Sequence, residues 1–178
     1  MEGSDGLCVE GSEGFSKLMK AGAEISGKYR YNLWRIWDRD DPIQVWVMLN
    51  PSTANATEDD PTIRRCMGFA KAFGCGGIRV ANLFAFRATS PKDLKAARDP
   101  IGLMNNIYLS EICKNNTVIC AWGAHGGYLK RDEEAMGFMG LAGARFVRLG
   151  DTTKDGHPRH PLYVKGDVPL VGHYLDER

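Results

Sequence analysis

The chain carries no surplus of charge: 23 Lys and Arg residues stand against 22 Asp and Glu, a formal net charge of +1. That balance excludes the broad basic surface with which a protein grips duplex DNA through many phosphates, so any nucleic-acid contact must rest on a local patch. Nor does it contain an apolar run near the roughly 18 residues that cross a bilayer. The first residues, MEGSDGLCVEG, have neither the basic flank nor the apolar segment of a secretory signal. A cytoplasmic protein without a membrane partner is the expectation. Cys8, Cys66, Cys75, Cys113 and Cys120 are odd in number and lack any Cys-x-x-Cys spacing, which indicates neither a disulfide framework nor a zinc or iron–sulfur site. They read as buried thiols, and no metal or cofactor is expected.

What is present is an ordinary globular composition, 43% hydrophobic in 178 residues, enough for one full core. Residues 1–27, rich in Gly, Ser and charge, read as a flexible N-terminal arm with a short helix around Phe15 to Ala23, and residues 28–178 as one α/β domain. The aromatic run Tyr29 to Trp37 ends in a turn signal, Asp38 to Pro42, ahead of the apolar run Val45 to Leu49, a pattern that fits a hairpin. Further buried strands are expected over Gly77 to Phe84, Thr117 to Trp122 and Ala144 to Leu149. Between them, an oxygen-bearing N-cap followed by Pro announces three helix starts, Asp60-Pro61, Ser90-Pro91 and Asp99-Pro100, and a fourth helix spans Tyr128 to Leu141. Strands alternating with helices predict a three-layer α/β/α sandwich with a mainly parallel sheet of about four strands.

In such a sheet the ligand crevice lies beyond the carboxyl ends of the strands, so the loops that follow them matter most. The loop after the first buried strand, NPSTANATEDDP, is polar directly behind an apolar run. Its Asn50 amide, beside Pro51 and the backbone N–H groups of Ser52 and Thr53, could meet a base, a ribose or a water, although the same residues are common turn formers. Three of the four histidines fall in these loops: His125 in a Gly-rich turn too irregular for a dinucleotide fingerprint, and His157 and His160 in two His-Pro steps beside Arg159 and Tyr163. Arg64, Arg65 and Arg87 either hold a phosphate bidentately or pair with Glu58, Asp59 and Asp60. The expected site unites Asn50, Ser52, Arg87, His125, His157 and His160. Were DNA the partner, Arg64, Arg65, Arg87, Lys92 and Arg159 would neutralise about three to five phosphates and give a salt slope of roughly −3 to −4.

The strings YRYNLWRIW, VMLNPSTANATEDDPTIRRC, NLFAFRATSP, the AWG of Ala121 to Gly123 and PRHPLYV resemble the prokaryotic and phage domain of unknown function 1643. More distantly, Met48-Leu49-Asn50-Pro51-Ser52 is similar to the first motif of the mismatch-specific branch of the uracil-DNA glycosylase superfamily, and His157-Pro158 or His160-Pro161 to its last. Asn82 to Arg87 is similar to a strand end of its thermostable branch. That resemblance implies a uracil-DNA glycosylase-like fold and a nucleobase or nucleotide ligand. It also implies a metal-independent N-glycosidase: Asn50 would position the attacking water, His160 or His157 would hydrogen-bond the departing base, and Phe84, Phe86 or Tyr163 would stack on it. The alternative is a non-catalytic module that sequesters or senses a nucleotide in the same crevice.

Overall fold

The structure is a computed structural model that describes residues 20–173. Its centre is built from four parallel strands, β3 (Ile43–Met48), β4 (Gly77–Asn82), β5 (Thr117–Cys120) and β6 (Arg145–Leu149). Strands β1 (Lys20–Ser26), β2 (Tyr29–Ile36) and β7 (Leu170–Gly172) extend this core antiparallel on both sides, in the order β1-β2-β4-β3-β5-β6-β7. The sheet is therefore mixed, and the parallel part is the four-stranded core that the apolar runs announce.

Alternation along the strands decides which helix covers which face. On one face Trp46, Met48, Ile78, Val80 and Ile119 pack on α1 (Pro61–Ala72) through Ile63, Cys66, Phe69 and Ala70. On the other, Val45, Val47, Ala81, Val118 and Cys120 meet α2 (Pro91–Ala96), α3 (Asn105–Cys113) and α4 (Arg131–Leu141). Helix α1 begins where its sequence says it should: Asp60 Oδ1 accepts the Ile63 N–H at 2.9 Å and Pro61 fills the first position. Past its end Gly74 takes the left-handed conformation, φ +72°.

Four expectations need correction. Residues 20–26, assigned to the arm, form edge strand β1, because β2 offers them an open ladder; residues 1–19, with most of the expected short helix, lie outside the described residues. Strand β2 makes its hairpin with β1 and not with β3. The turn after it straddles the start of β4, with the Trp37 and Asp38 N–H groups on the Gly76 carbonyl and the Gly76 N–H on the Pro42 carbonyl, so β4 is inserted between the two. Asp99 accepts the N–H groups of Ile101 and Gly102, and this local turn delays α3 until Asn105. Ahead of α4, Leu129 and Lys130 have φ of +57° and +53°, which separates the Tyr128–Lys130 turn from the helix. Among the described residues no helix is long and apolar enough to cross a membrane.

Candidate functional site

From β3 the chain crosses by way of α1 to β4, then returns past β3 to β5, so the loops after β3 and β5 diverge at a switch point of the sheet, where a crevice must open. A cavity of about 670 Å³ lies there, within the range that suits a small-molecule ligand. Each parallel strand sends a loop to it: Asn50 and Ser52 after β3, Ala88 and Thr89 after β4, Trp122 to His125 after β5, and Thr153, Arg159, His160 and Tyr163 after β6. The start of α1, with Asp60 and Thr62, and Arg30 of β2 complete the wall.

Of the residues expected from sequence, Asn50, Ser52, His125, Arg159, His160 and Tyr163 meet in this cavity. The Asn50 amide nitrogen donates to the Pro51 carbonyl at 3.0 Å and to the Ala88 carbonyl at 2.7 Å, so both its hydrogens are committed to clasping two loops. Its oxygen has no such bond and remains an acceptor. His160 precedes a short 3-10 turn, Pro161–Tyr163, and its Nδ1 accepts the Leu162 N–H at 3.4 Å. Burial lowers its pKa below the ordinary 6.5, against the pull of the Asp60 charge. The ring is therefore held neutral with its proton on Nε2, a donor without charge. Tyr163, largely exposed, tilts against it at 5.6 Å, and His125 and Arg159 stand exposed at the rim.

The remaining candidates are placed elsewhere. Pro51 is buried and supplies a carbonyl to the Asn50 clasp, while Thr53 points away, exposed. Phe84 is fully buried, 5.6 Å from Tyr128, and Phe86 sits edge-on to Tyr29; neither lines the cavity, because both belong to the packing that carries β4 into α2. Arg64 bonds the Asp59 carbonyl. Arg65 lies over the Phe69 ring and donates to the Pro161 and Val164 carbonyls, fixing the loop that bears His160. Arg87 reaches the Ser52 and Thr53 carbonyls. Thus backbone carbonyls, rather than the three expected acidic side chains, take up these guanidinium groups. His157 lies outside the cavity with Nδ1 3.3 Å from Asp132 Oδ2, latching the loop after β6 to the start of α4.

Asp60 and Trp122 of the wall escaped the sequence reading as site residues, and so did two arginines of β2. Arg30 is 2% exposed; it donates to the Ala54 carbonyl at 2.9 Å and to Asn82 Oδ1 at 3.3 Å. Burial lowers its pKa to about 10 despite the favourable Asp60 charge, a cost to the charged form on the order of 3 kcal/mol. Arg35, 1% exposed, pairs with Asp59 at 2.8 Å and donates to the Asn55 carbonyl at 2.7 Å. Together these two cations of β2 anchor the polar loop behind β3 through its Ala54 and Asn55 carbonyls and Asp59. The only signal was a pair of arginines inside an otherwise aromatic, apolar strand, where a charge survives only with partners.

The thiols do not join the site. Cys66, Cys113 and Cys120 are buried and Cys75 is half-buried, while Cys8 lies outside the described residues. Burial pushes Cys113 up to about 12 and raises the other three as well, so they are poor nucleophiles. Among the described residues no group of three or more His, Cys, Asp or Glu side chains is placed to hold a metal ion.

Neither the curated proteins nor the solved structures include a significant match to the chain. The family model described as Protein of unknown function (DUF1643) matches residues 30–162, well over half of the chain and nearly all of the loops that build the cavity; the chain belongs to that family.

Proposed function

We propose that the cavity binds a nucleotide through its base and that the protein hydrolyses the N-glycosidic bond of that base, in a free nucleotide or in DNA. One observation carries the reading: an amide oxygen fixed by its own nitrogen's bonds, at Asn50, shares a cavity with a histidine kept neutral, at His160. The Asn50 oxygen accepts a hydrogen bond from water and aims it at the anomeric carbon. His160 offers its Nε2–H to the oxygen of the departing base as negative charge gathers there, and a neutral donor stabilises that charge without protonating the base in advance. Tyr163, largely exposed, supplies aromatic surface for the base, and the buried Trp122 indole presents an edge to the wall. The similarity of Met48 to Ser52 and of His160-Pro161 to strings of the uracil-DNA glycosylase superfamily favours this chemistry and a fold of that kind.

A second reading, a binding module without turnover, is favoured by the clasp itself. The two Asn50 bonds tie the loops after β3 and β4 together, a task that any pocket at this edge requires. Incubation with free nucleotides and with uracil-containing, mismatched and modified oligonucleotides, followed by mass spectrometry, separates the two. Hydrolysis releases a free base with the wild type and none with a folded Asn50→Ala variant. Saturable binding with no base released from any member supports the second reading and ends the first.

A further inference from the structure

Hydrolysis of an N-glycosidic bond leaves a proton to be placed. As the water oxygen bonds to the anomeric carbon, the carbon–nitrogen bond breaks and its electron pair goes to the base. The sugar passes through a cationic state, and the attacking water must lose one hydrogen. Asn50 cannot take it, since an amide is not a base near neutral pH. His160 is also unsuited, with one ring nitrogen holding the Leu162 N–H and the other carrying the donor proton. Arg30 and Arg159 are cations, and His125 stands exposed at the rim.

Among the described residues a single carboxylate lines the cavity, that of Asp60. We infer that Asp60 is the carboxylate of this reaction, accepting the proton of the attacking water and offsetting the positive charge on the sugar. The inference rests on the hydrolytic reading above. Asp60 is held in place by two backbone donors, the Ile63 N–H on Oδ1 at 2.9 Å and the Ala54 N–H on Oδ2 at 3.4 Å. A carboxylate has about four acceptor sites, so capping α1 leaves sites free. Its charge acts on both Arg30 and His160, two other members of the cavity wall, and on the Cys66 thiol beneath. Asp59, its neighbour, is consumed by Arg35, and Glu58 does not line the cavity. In the balanced step the water oxygen ends on the sugar, one water hydrogen on Asp60 and the electron pair on the base; Asp60 then returns its proton to solvent and the base anion takes one up.

The test is Asp60→Asn, which keeps a side-chain oxygen to cap Ile63 but removes the charge and the basic site. With a substrate found in the panel above, kcat should fall by about 10²- to 10⁴-fold. KM and the affinity for the free base product should change less than about threefold. Should thermal unfolding show that Asp60→Asn does not fold, Asp60→Ser, also a capping residue, is measured in the same way. Turnover within twofold of wild type, or loss of product affinity in step with kcat, overturns the assignment and leaves hydrolysis standing. A wild type that releases no base overturns both.

Discussion

Gly126→Ala isolates one contact in the cavity wall. The Gly126 backbone is ordinary right-handed helix, φ −59° and ψ −34°, so alanine meets no conformational penalty there. Sterics oppose it: an added Cβ would stand 1.9 Å from Trp122 Cδ1 and 2.4 Å from Trp122 Nε1. Carbon atoms pack at about 3.5–4.0 Å, so the ring or the turn must move by roughly 1.5–2 Å. The indole has little room, being 2% exposed with the His173 ring 5.8 Å away. Overpacking of this kind costs about 1–3 kcal/mol. At about 2–4 °C per kcal/mol for a chain of this size, the melting temperature should drop by about 2–12 °C. Thermal unfolding followed by circular dichroism measures it, with Gly68→Ala as the control. Gly68 is exposed within α1, a Cβ there meets nothing within 4 Å, and alanine should stabilise by about 0.5–1 kcal/mol. A Gly126→Ala protein that melts at or above the wild-type temperature refutes the steric argument.

Because burial holds the folded His160 pKa below its unfolded value near 6.5, the stability tied to its neutral ring is complete above that value and is lost as pH falls through the folded one. An NMR titration should therefore place its midpoint below 6.5, with base release declining on the same side; a midpoint above 6.5 contradicts the neutral state assigned to the ring. Arg65→Met should speed hydrogen exchange at Leu162 and Tyr163 and cost about 1.5–3 kcal/mol, since two carbonyls lose a charged donor. It should also weaken ligand binding although Arg65 does not line the cavity, and unchanged exchange would show that the loop holds itself.

The parallel core and two of the three Pro-led helices were legible because local chemistry and tertiary packing agree there. Asp60 and Ser90 do accept the N–H three residues on, at 2.9 and 3.2 Å. Asp99-Pro100 carries the same signature but spends its oxygen on a turn, and sequence alone does not rank the two outcomes. Edge strands β1 and β7 were missed for lack of a buried face: β1 is mostly exposed and β7 has three residues, so the ladder of a neighbour rather than an apolar pattern makes them strands. The loops that form the cavity followed from the strand-end rule, but the direction of each side chain did not. Arg64, Arg65 and Arg87 were matched to a phosphate or to Glu58, Asp59 and Asp60 because backbone carbonyls carry no sequence signal, and Arg30 was hidden because nothing in a strand's sequence tells which charge turns inward.

The central claim is that a nucleotide's base lies against Asn50, Trp122 and His160. NMR of the protein with the Trp122 indole and His160 imidazole resonances assigned, titrated with nucleoside monophosphates and free nucleobases, tests it directly. Saturable shifts of both resonances with at least one of these ligands, weakened in Asn50→Ala, are the predicted result. Resonances that stay fixed with every ligand at millimolar concentration, or that shift while Asn50→Ala behaves as wild type, would contradict it.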